Sequence, residues 1–349
     1  MDFLLNENQQ ELAALSRRIL NGQVTADRPD QAGCDGFDPA LWAALARADI
    51  LSAALPESVG GAGLGLLEQC SVLAEIGRAV APAPYLESIV LDASAIVRFG
   101  TPDQQRQWAE PAGRGEFILT AALAEEDGDD PAAPSATAEP VPGGWLLSGV
   151  KTAVPAAPRA ALMLVPARTP RGVAVFLVGP ADAGVTVQRQ QVTGGVSAGR
   201  LVLAGVELPG DRVLGGPEAD PDITDWLPGR GTVGECALQL GVVERALEMT
   251  SEYARSRMQF GRPIGSFQAV AQRLADAFID VEAVRLTMWR AAWRLSEGLP
   301  CDSSASTSAI RCIATSSRPS TTSSRVAGPP PSCAGSARHW REQADCWGN

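Results

Sequence analysis

Arg257-Met258-Gln259-Phe260-Gly261-Arg262-Pro263-Ile264-Gly265-Ser266-Phe267-Gln268 separates two stretches of helical periodicity. Before it, Val233, Ala237, Leu240, Val243 and Leu247 recur at the spacing of one helix face, and helical spacing is expected from about Gly231. After it, Phe267, Val270, Leu274, Ala277, Val281, Val284 and Met288 form a second stripe, with Ser266 placed as its N-cap. Gly261, Pro263 and Gly265 allow only a tight connection. Two long helices joined this way are expected to pack antiparallel.

Working back from this stretch, the period changes. Phe117-Ile118-Leu119, Trp145-Leu146-Leu147, Ala161 to Val165, Val173 to Val178, Val185-Thr186-Val187 and Leu201-Val202-Leu203 are short apolar runs punctuated by Gly and Pro. They read as a β-domain. Earlier still, helical spacing returns. Leu4, Leu5, Leu12, Leu15 and Ile19 mark one helix. Leu41, Trp42, Leu45 and Ala46 mark a second, with Asp38 as N-cap and Pro39 in its first position. A helix from about Leu67 to Val80 ends at Pro82 and Pro84, another runs from about Tyr85 to Phe99, and Thr101-Pro102-Asp103 opens the next.

The expected fold is therefore α+β: an N-terminal helical domain (1–115), a central β-barrel-like domain (116–222) and a partial C-terminal helical bundle (223–300). Residues 301–349 contain 11 Ser and 4 Thr but no Leu or Phe, so they are expected to be irregular or disordered.

Composition narrows the chemistry. The chain has 349 residues and a net charge of −11, with no long basic run, which argues against nucleic acid as a partner. It shows no apolar run of membrane-spanning length and no secretory pattern at Met1 to Glu7, so a cytoplasmic protein without membrane contact is expected. The one histidine, His339, lies in the tail. That removes His-dependent nucleophile systems and His-ligated metals from residues 1–300. The seven cysteines form no CxxC pattern, and Asp127, Asp129 and Asp130 lack the spacing of a calcium loop, so no metal site is expected.

The opening stretch closely resembles the acyl-CoA dehydrogenase signature Arg-x-Gln-Phe-Gly-x-Pro-Ile-x-x-Phe-Gln. The turn Pro56-Glu57…Gly60-Gly61-Ala62-Gly63-Leu64, the landmarks Phe99-Gly100-Thr101 and Gly149-Val150-Lys151, and Arg290-Ala291-Ala292-Trp293 are similar to that family in the same order, over about residues 1–300. The resemblance implies FAD as cofactor, with Arg257 reaching the pyrophosphate of a neighbouring subunit. A guanidinium fork suits a diphosphate. It also implies that Gln259 and Phe260 flank the adenosine side with Phe267 and Gln268 nearby, and that the backbone of Leu123 and Ala124 contacts the flavin. The implied reaction is α,β-dehydrogenation of an acyl-CoA, a carboxylate taking the α-proton and the flavin the β-hydride, with electrons passed on to an electron-transferring flavoprotein.

The chain departs from the family at three places. Ala153 stands where the family's flavin motif has tryptophan, and Pro155 where it has threonine. The family's Gly-Ser step is missing from Ala124 to Asp130. At the position where some members carry the catalytic carboxylate stands Gly231, with Glu235 one turn further on as the nearby substitute, so no catalytic residue is assigned. Four readings stay open: a dehydrogenase in its own right, a non-catalytic subunit of a homo- or hetero-oligomer that completes the FAD site of a paralogue, a flavin monooxygenase on the same fold, or a truncated inactive gene product.

Overall fold

The computed structural model describes residues 6–24, 37–128, 130–192, 197–216 and 222–299. The expected irregular tail, 301–349, lies outside them, as do Leu4, Leu5 and Asp129 of the readings above.

The N-terminal layer is helical. Helix α1 (Glu7–Gln23) starts with a capping box in which Asn6 Oδ1 accepts from Gln9 N and Gln9 Oε1 from Asn6 N. Helix α2 (Pro39–Arg47) has Asp38 as N-cap, its Oδ1 accepting from Ala40 N and Leu41 N, with proline at the first helical position as expected. Helix α3 spans Leu66–Ala79. The helix expected from Tyr85 to Phe99 is present in two parts, a π-helical segment (Leu86–Ala93) running into α4 (Ser94–Phe99). Short helices α5 (Pro102–Gln104) and α6 (Glu110–Gly113) flank a second π segment, Gln105–Ala109, and Thr101 caps α5.

The β-domain is one seven-stranded sheet: β1 (Leu119–Ala121), β2 (Thr137–Val141), β3 (Gly144–Pro155), β4 (Leu162–Thr169), β5 (Gly172–Val178), β6 (Val185–Gln191) and β7 (Ser197–Pro209). The order is β1-β4-β2-β3-β7-β6, with β5 paired to β4. Each apolar run expected to be a strand contributes to one. Strand β2, Thr-Ala-Glu-Pro-Val, carries too little apolar patterning to be seen in advance.

The unbroken apolar runs of β4 and β5 have a simple cause. Side chains alternate across a sheet. Leu162 and Leu164 of β4, with Val175 and Leu177 of β5, join the core shared with the helices. Met163, Val165 and Ala167, with Ala174, Phe176 and Val178, fill a second core inside the β-domain. Both faces are buried, so neither can be polar.

Two long helices close the chain, α7 (Asp222–Ser256) and α8 (Gln268–Ser296), which pack together. Helix α7 begins earlier than its stripe suggested, because its first turns, through Pro228, are pinned rather than amphipathic. Arg230 Nε donates to the Val90 carbonyl, Arg230 Nη2 reaches Gln69 Oε1, and the guanidinium stacks 4.9 Å from the Trp226 ring centroid. The crossing of α7 with α3 is unusually close. A Cβ on Gly241 would stand 1.8 Å from Ala74 O, and one on Gly77 1.9 Å from Leu238 O. Helix α8 is capped by the backbone of Phe267. Ser266 is not its N-cap, because Ser266 Oγ is turned back to the Pro263 carbonyl in a 3₁₀ turn.

Candidate functional site

The residues singled out by sequence fall into two groups. Arg257, Gln259, Phe260, Phe267 and Gln268 belong to one exposed arm at the end of α7. Strands β8 (Met258–Gln259) and β9 (Arg262–Pro263) pair around a two-residue turn, with Ile264 N donating to Arg257 O at 2.9 Å. Both central residues have left-handed backbone, Phe260 at φ +50° and Gly261 at φ +77°, which is what a two-residue hairpin demands. Glycine adopts this freely. A phenylalanine does not. Phe260 is nevertheless 91% exposed, touching Phe267 edge-on at 6.1 Å, while Arg262 lies over the Phe267 ring at 4.1 Å. Arg257, Gln259 and Gln268 are exposed beside it.

Leu123 and Ala124 form the second group, in the loop after β1. The Ala124 carbonyl accepts from Thr152 N at 2.9 Å, which ties this loop to a bulge in β3. At the bulge Ala153 has φ +49°, and its N–H donates to Gln190 Oε1 at 2.7 Å. Glu125 anchors the loop. Its carboxylate accepts from Lys151 Nζ at 2.7 Å and from the backbone N–H groups of Ser135 and Ala136. Burial opposes ionisation of Glu125, but these bonds outweigh it and hold the carboxyl below its usual range. Burial draws the Lys151 ammonium down, with Glu125 acting against it.

Beside this loop lies a cavity of about 450 Å³, enclosed by Ile76 of α3, Leu86 and Glu87 of the π segment, Ile118, Pro155 of β3, and Glu235 and Leu238 of α7. Ala153 and Ala156 also line it, and small side chains at these positions widen it. Arg159, stacked 5.1 Å from the Phe37 ring centroid, completes its rim.

Two carboxyls therefore face one cavity. Glu235, the substitute noticed in the sequence, is there, with its pKa raised by burial. Glu87 was not noticed. Burial pushes its carboxyl up to about 7, its own backbone N–H acting against the shift and the nearby charge of Glu235 adding to it. Five residues on, Asp92 is fully buried with neither carboxylate oxygen hydrogen-bonded among the described residues, and burial followed by Glu87 raises its pKa well above the usual range. A signal existed: Glu87 and Asp92 are the only charged residues in the apolar run Leu86 to Ala93. Their juxtaposition requires the π-helical register, which sequence periodicity does not announce. Such π segments concentrate at functional sites. Gly231 adjoins Leu91, a Cβ there standing 3.7 Å from its side chain, so the carboxylate position of the resemblance does lie against the π segment, without a carboxylate. Among the described residues no cluster of metal-binding side chains exists.

With this geometry in place, comparison with known proteins is decisive. Residues 6–116 match the acyl-CoA dehydrogenase N-terminal domain, 120–206 the middle domain and 229–319 the C-terminal domain. The chain belongs to the acyl-CoA dehydrogenase family. It is 46% identical over 299 residues to acyl-CoA dehydrogenase FadE27 of Mycobacterium tuberculosis, covering 85% of this chain and 78% of that protein. The structure superposes on the ChsE4-ChsE5 complex of Mycobacterium tuberculosis with a TM-score of 0.82 at 44% identity, covering 90% of this chain and 86% of the other. It superposes on the Tcur3481-Tcur3483 steroid ACAD with a TM-score of 0.80 at 39% identity, covering 88% and 82%. Against the mammalian short-chain specific acyl-CoA dehydrogenases it spans 60–62% of their length. The α+β layout of helical domain, open β-domain and helical C-terminus is that of the family. No described helix is long and apolar enough to cross a membrane.

Proposed function

We propose that this acyl-CoA dehydrogenase family chain serves α,β-dehydrogenation of an acyl-CoA thioester with FAD. The observation that carries the reading is the cavity between the π segment, α7 and the β-domain, with Glu235 on its wall one turn from Gly231. Bound FAD would supply the two-electron acceptor. The arm fits the phosphate side of such a group: a guanidinium at Arg257, amides at Gln259 and Gln268 and the Phe260 ring are exposed, with the half-buried Phe267 ring beside them. The loop fits the ring side through the backbone at Leu123 and Ala124, held by Glu125 and Lys151. Ala153 and Pro155 there offer neither stacking surface nor hydroxyl. Glu235 and Glu87 are the carboxyls of this chain that line the cavity, and burial raises the pKa of both. An electron-transferring flavoprotein is the expected electron acceptor, and the cytoplasm the expected site.

A second reading rests on one observation. Phe260 holds a strained backbone while exposing its ring, and Met258 beside it is exposed as well. Such an arm is useful against another subunit. In this reading the chain lends Arg257 and its neighbours to a FAD held with a paralogous subunit, as Gly231 at the base position favours. Solved neighbours named as two-protein complexes agree with it.

The test is the flavin spectrum of the full chain, purified alone and co-produced with a paralogous subunit, followed by anaerobic addition of acyl-CoAs of several lengths. The expected result is flavin retention and rapid bleaching in the co-produced assembly, and slow or no bleaching by the chain alone. Rapid bleaching by the chain alone that is lost in Glu235→Gln would assign Glu235 as the base. Absence of flavin from both preparations would sink both readings.

A further inference from the structure

The π register of Leu86–Ala93 is imposed on the segment from outside. It buries Asp92 with neither carboxylate oxygen hydrogen-bonded among the described residues, which costs free energy that the segment does not recover within itself. The hydrogen bonds at its end show what holds it. In an α-helix the Val90 carbonyl would accept from Ser94 N. Here Ser94 N donates to the carbonyls of Ile89 and Leu91 and passes Val90 by. The Val90 carbonyl is answered from α7 instead, by Arg230 Nε at 2.7 Å. The same guanidinium reaches Gln69 Oε1 of α3, and Ser94 Oγ at 3.5 Å. Ser94 Oγ in turn donates to the Ile89 carbonyl at 2.8 Å, five residues back, the spacing of the π register.

Resting on the reading of this cavity as an acyl-CoA site, we propose that Arg230 is a positioning residue for it: entering from α7, its guanidinium holds Leu86–Ala93 in π register and so keeps Leu86 and Glu87 on the cavity wall. A slip of one residue turns a helix by about 100°, enough to carry Glu87 off that wall. The start of the segment is fixed separately, where Ser88 Oγ accepts from Leu119 N of β1 at 3.1 Å. With β1 holding one end, Arg230 decides the register at the other. Glu235 and Leu238 of the cavity also lie on α7, so one helix supplies part of the wall and sets the register of the rest. Arg230 does not itself line the cavity. Its partners are Val90, Gln69, Ser94 and the Trp226 ring, so its effect on Glu87 runs through the backbone of the segment.

The experiment is a double-mutant cycle, read by calorimetric titration of the flavin-loaded assembly containing the full chain with octanoyl-CoA. Glu87→Leu is made in the unaltered chain and in chains carrying Arg230→Met or Arg230→Lys. In the unaltered chain Glu87→Leu is expected to tighten binding about tenfold, because the alkyl chain no longer strips water from a carboxyl. In the Arg230→Met chain the same change should alter affinity by less than about twofold, since Glu87 has left the wall. Arg230→Lys keeps a donor for the Val90 carbonyl and restores the Glu87→Leu effect. A purely structural role for Arg230 would lower stability and leave the two changes additive, as expected of residues that share no contact. An undiminished Glu87→Leu effect in the Arg230→Met chain therefore overturns this inference and leaves the acyl site standing. If Glu87→Leu has no effect in the unaltered chain, the cavity is not the acyl site, and both readings fall. Thermal unfolding checks that each variant folds. Arg230→Gln, whose amide is too short to reach Val90, repeats the comparison if Arg230→Met does not fold. Failure of both to fold overturns the positioning role, because the guanidinium would then hold the helical layer as a whole.

Discussion

Lys151 Nζ lies 2.7 Å from Glu125 Oε1 in a setting where the lysine side chain is wholly buried and the glutamate nearly so. The chain's one lysine is thus spent on fixing the loop after β1 to strand β3, against the bulge that holds Ala153. Removing one partner of such a pair leaves the other as an uncompensated buried charge. Lys151→Met is expected to destabilise the fold by about 3–5 kcal/mol. Urea unfolding at neutral pH measures this. A loss below about 1 kcal/mol would mean that water reaches Glu125 once the lysine is gone.

The α3–α7 crossing depends on two glycines facing backbone. Gly241→Val places carbon where Ala74 O now stands, and no side-chain rotation can relieve that. The helices must separate, opening the core around Leu73, Ile76 and Leu240. The expected cost is about 3 kcal/mol, the upper end for overpacking. Gly22→Ala, where nothing lies within 4 Å of an added Cβ, is the matched control and is expected to be neutral or slightly stabilising. Thermal unfolding of the pair separates the effects.

Glu87 links stability to pH. Its folded-state pKa is raised from 4.5 to about 7, so the folded protein holds a proton that the unfolded chain releases earlier. The stability this gives is complete below pH 4.5, declines as pH rises, and is gone above about 7. The full swing is about 3 kcal/mol at most. Asp92 acts with the same sign. Glu87→Gln removes the Glu87 share, so the variant should be close to the wild type in stability near pH 5 and the more stable of the two at pH 8. A gap that does not change with pH would show that Glu87 titrates as an ordinary surface carboxylate.

The arm makes a pair of opposed predictions. Phe260→Asn relieves a left-handed backbone that asparagine tolerates, and is expected to raise the stability of the isolated chain by up to about 1 kcal/mol. The same change should weaken flavin retention by the assembly. Arg257→Ala, at an exposed position, should change stability by less than about 0.5 kcal/mol. It should lower FAD affinity by roughly 1.5–3 kcal/mol, the worth of a charge-assisted contact. Fluorescence titration of the apo-assembly with FAD checks both, and unchanged affinity would remove the arm from the cofactor site.

Helix α8 bears Phe278, Ile279 and Leu286 exposed, with Ile279 at 64%. Its Val281, Val284 and Met288 are buried. The expected stripe is therefore covered, and these three exposed apolar residues lie off it. If a second subunit covers them, Ile279→Glu should lower the oligomeric state without lowering the monomer's stability. Light scattering and urea unfolding read the two separately. An unchanged assembly would place the subunit contact elsewhere.

The sequence by itself determined which elements form and in what order. Helical spacing, the Asp38–Pro39 start, the Gly–Pro connections and the apolar strand runs are local signals, because propensity, capping and turn chemistry act within a few residues. The arm was legible for the same reason: Arg257, Gln259, Phe260, Phe267 and Gln268 lie within twelve positions of one another. Only the tertiary structure decided what faces the cavity. Glu87 and Glu235 are 148 residues apart in number and meet because glycines let α7 approach the helices below it. The π register that turns Glu87 toward the cavity depends on packing around Leu86 to Ala93, since a π segment has no propensity signature of its own. The same holds for Lys151 and Glu125, which meet where β3 contacts the loop after β1. Strand β2 was invisible in advance because its pairing with β3 supplies the hydrogen bonds that its composition does not call for.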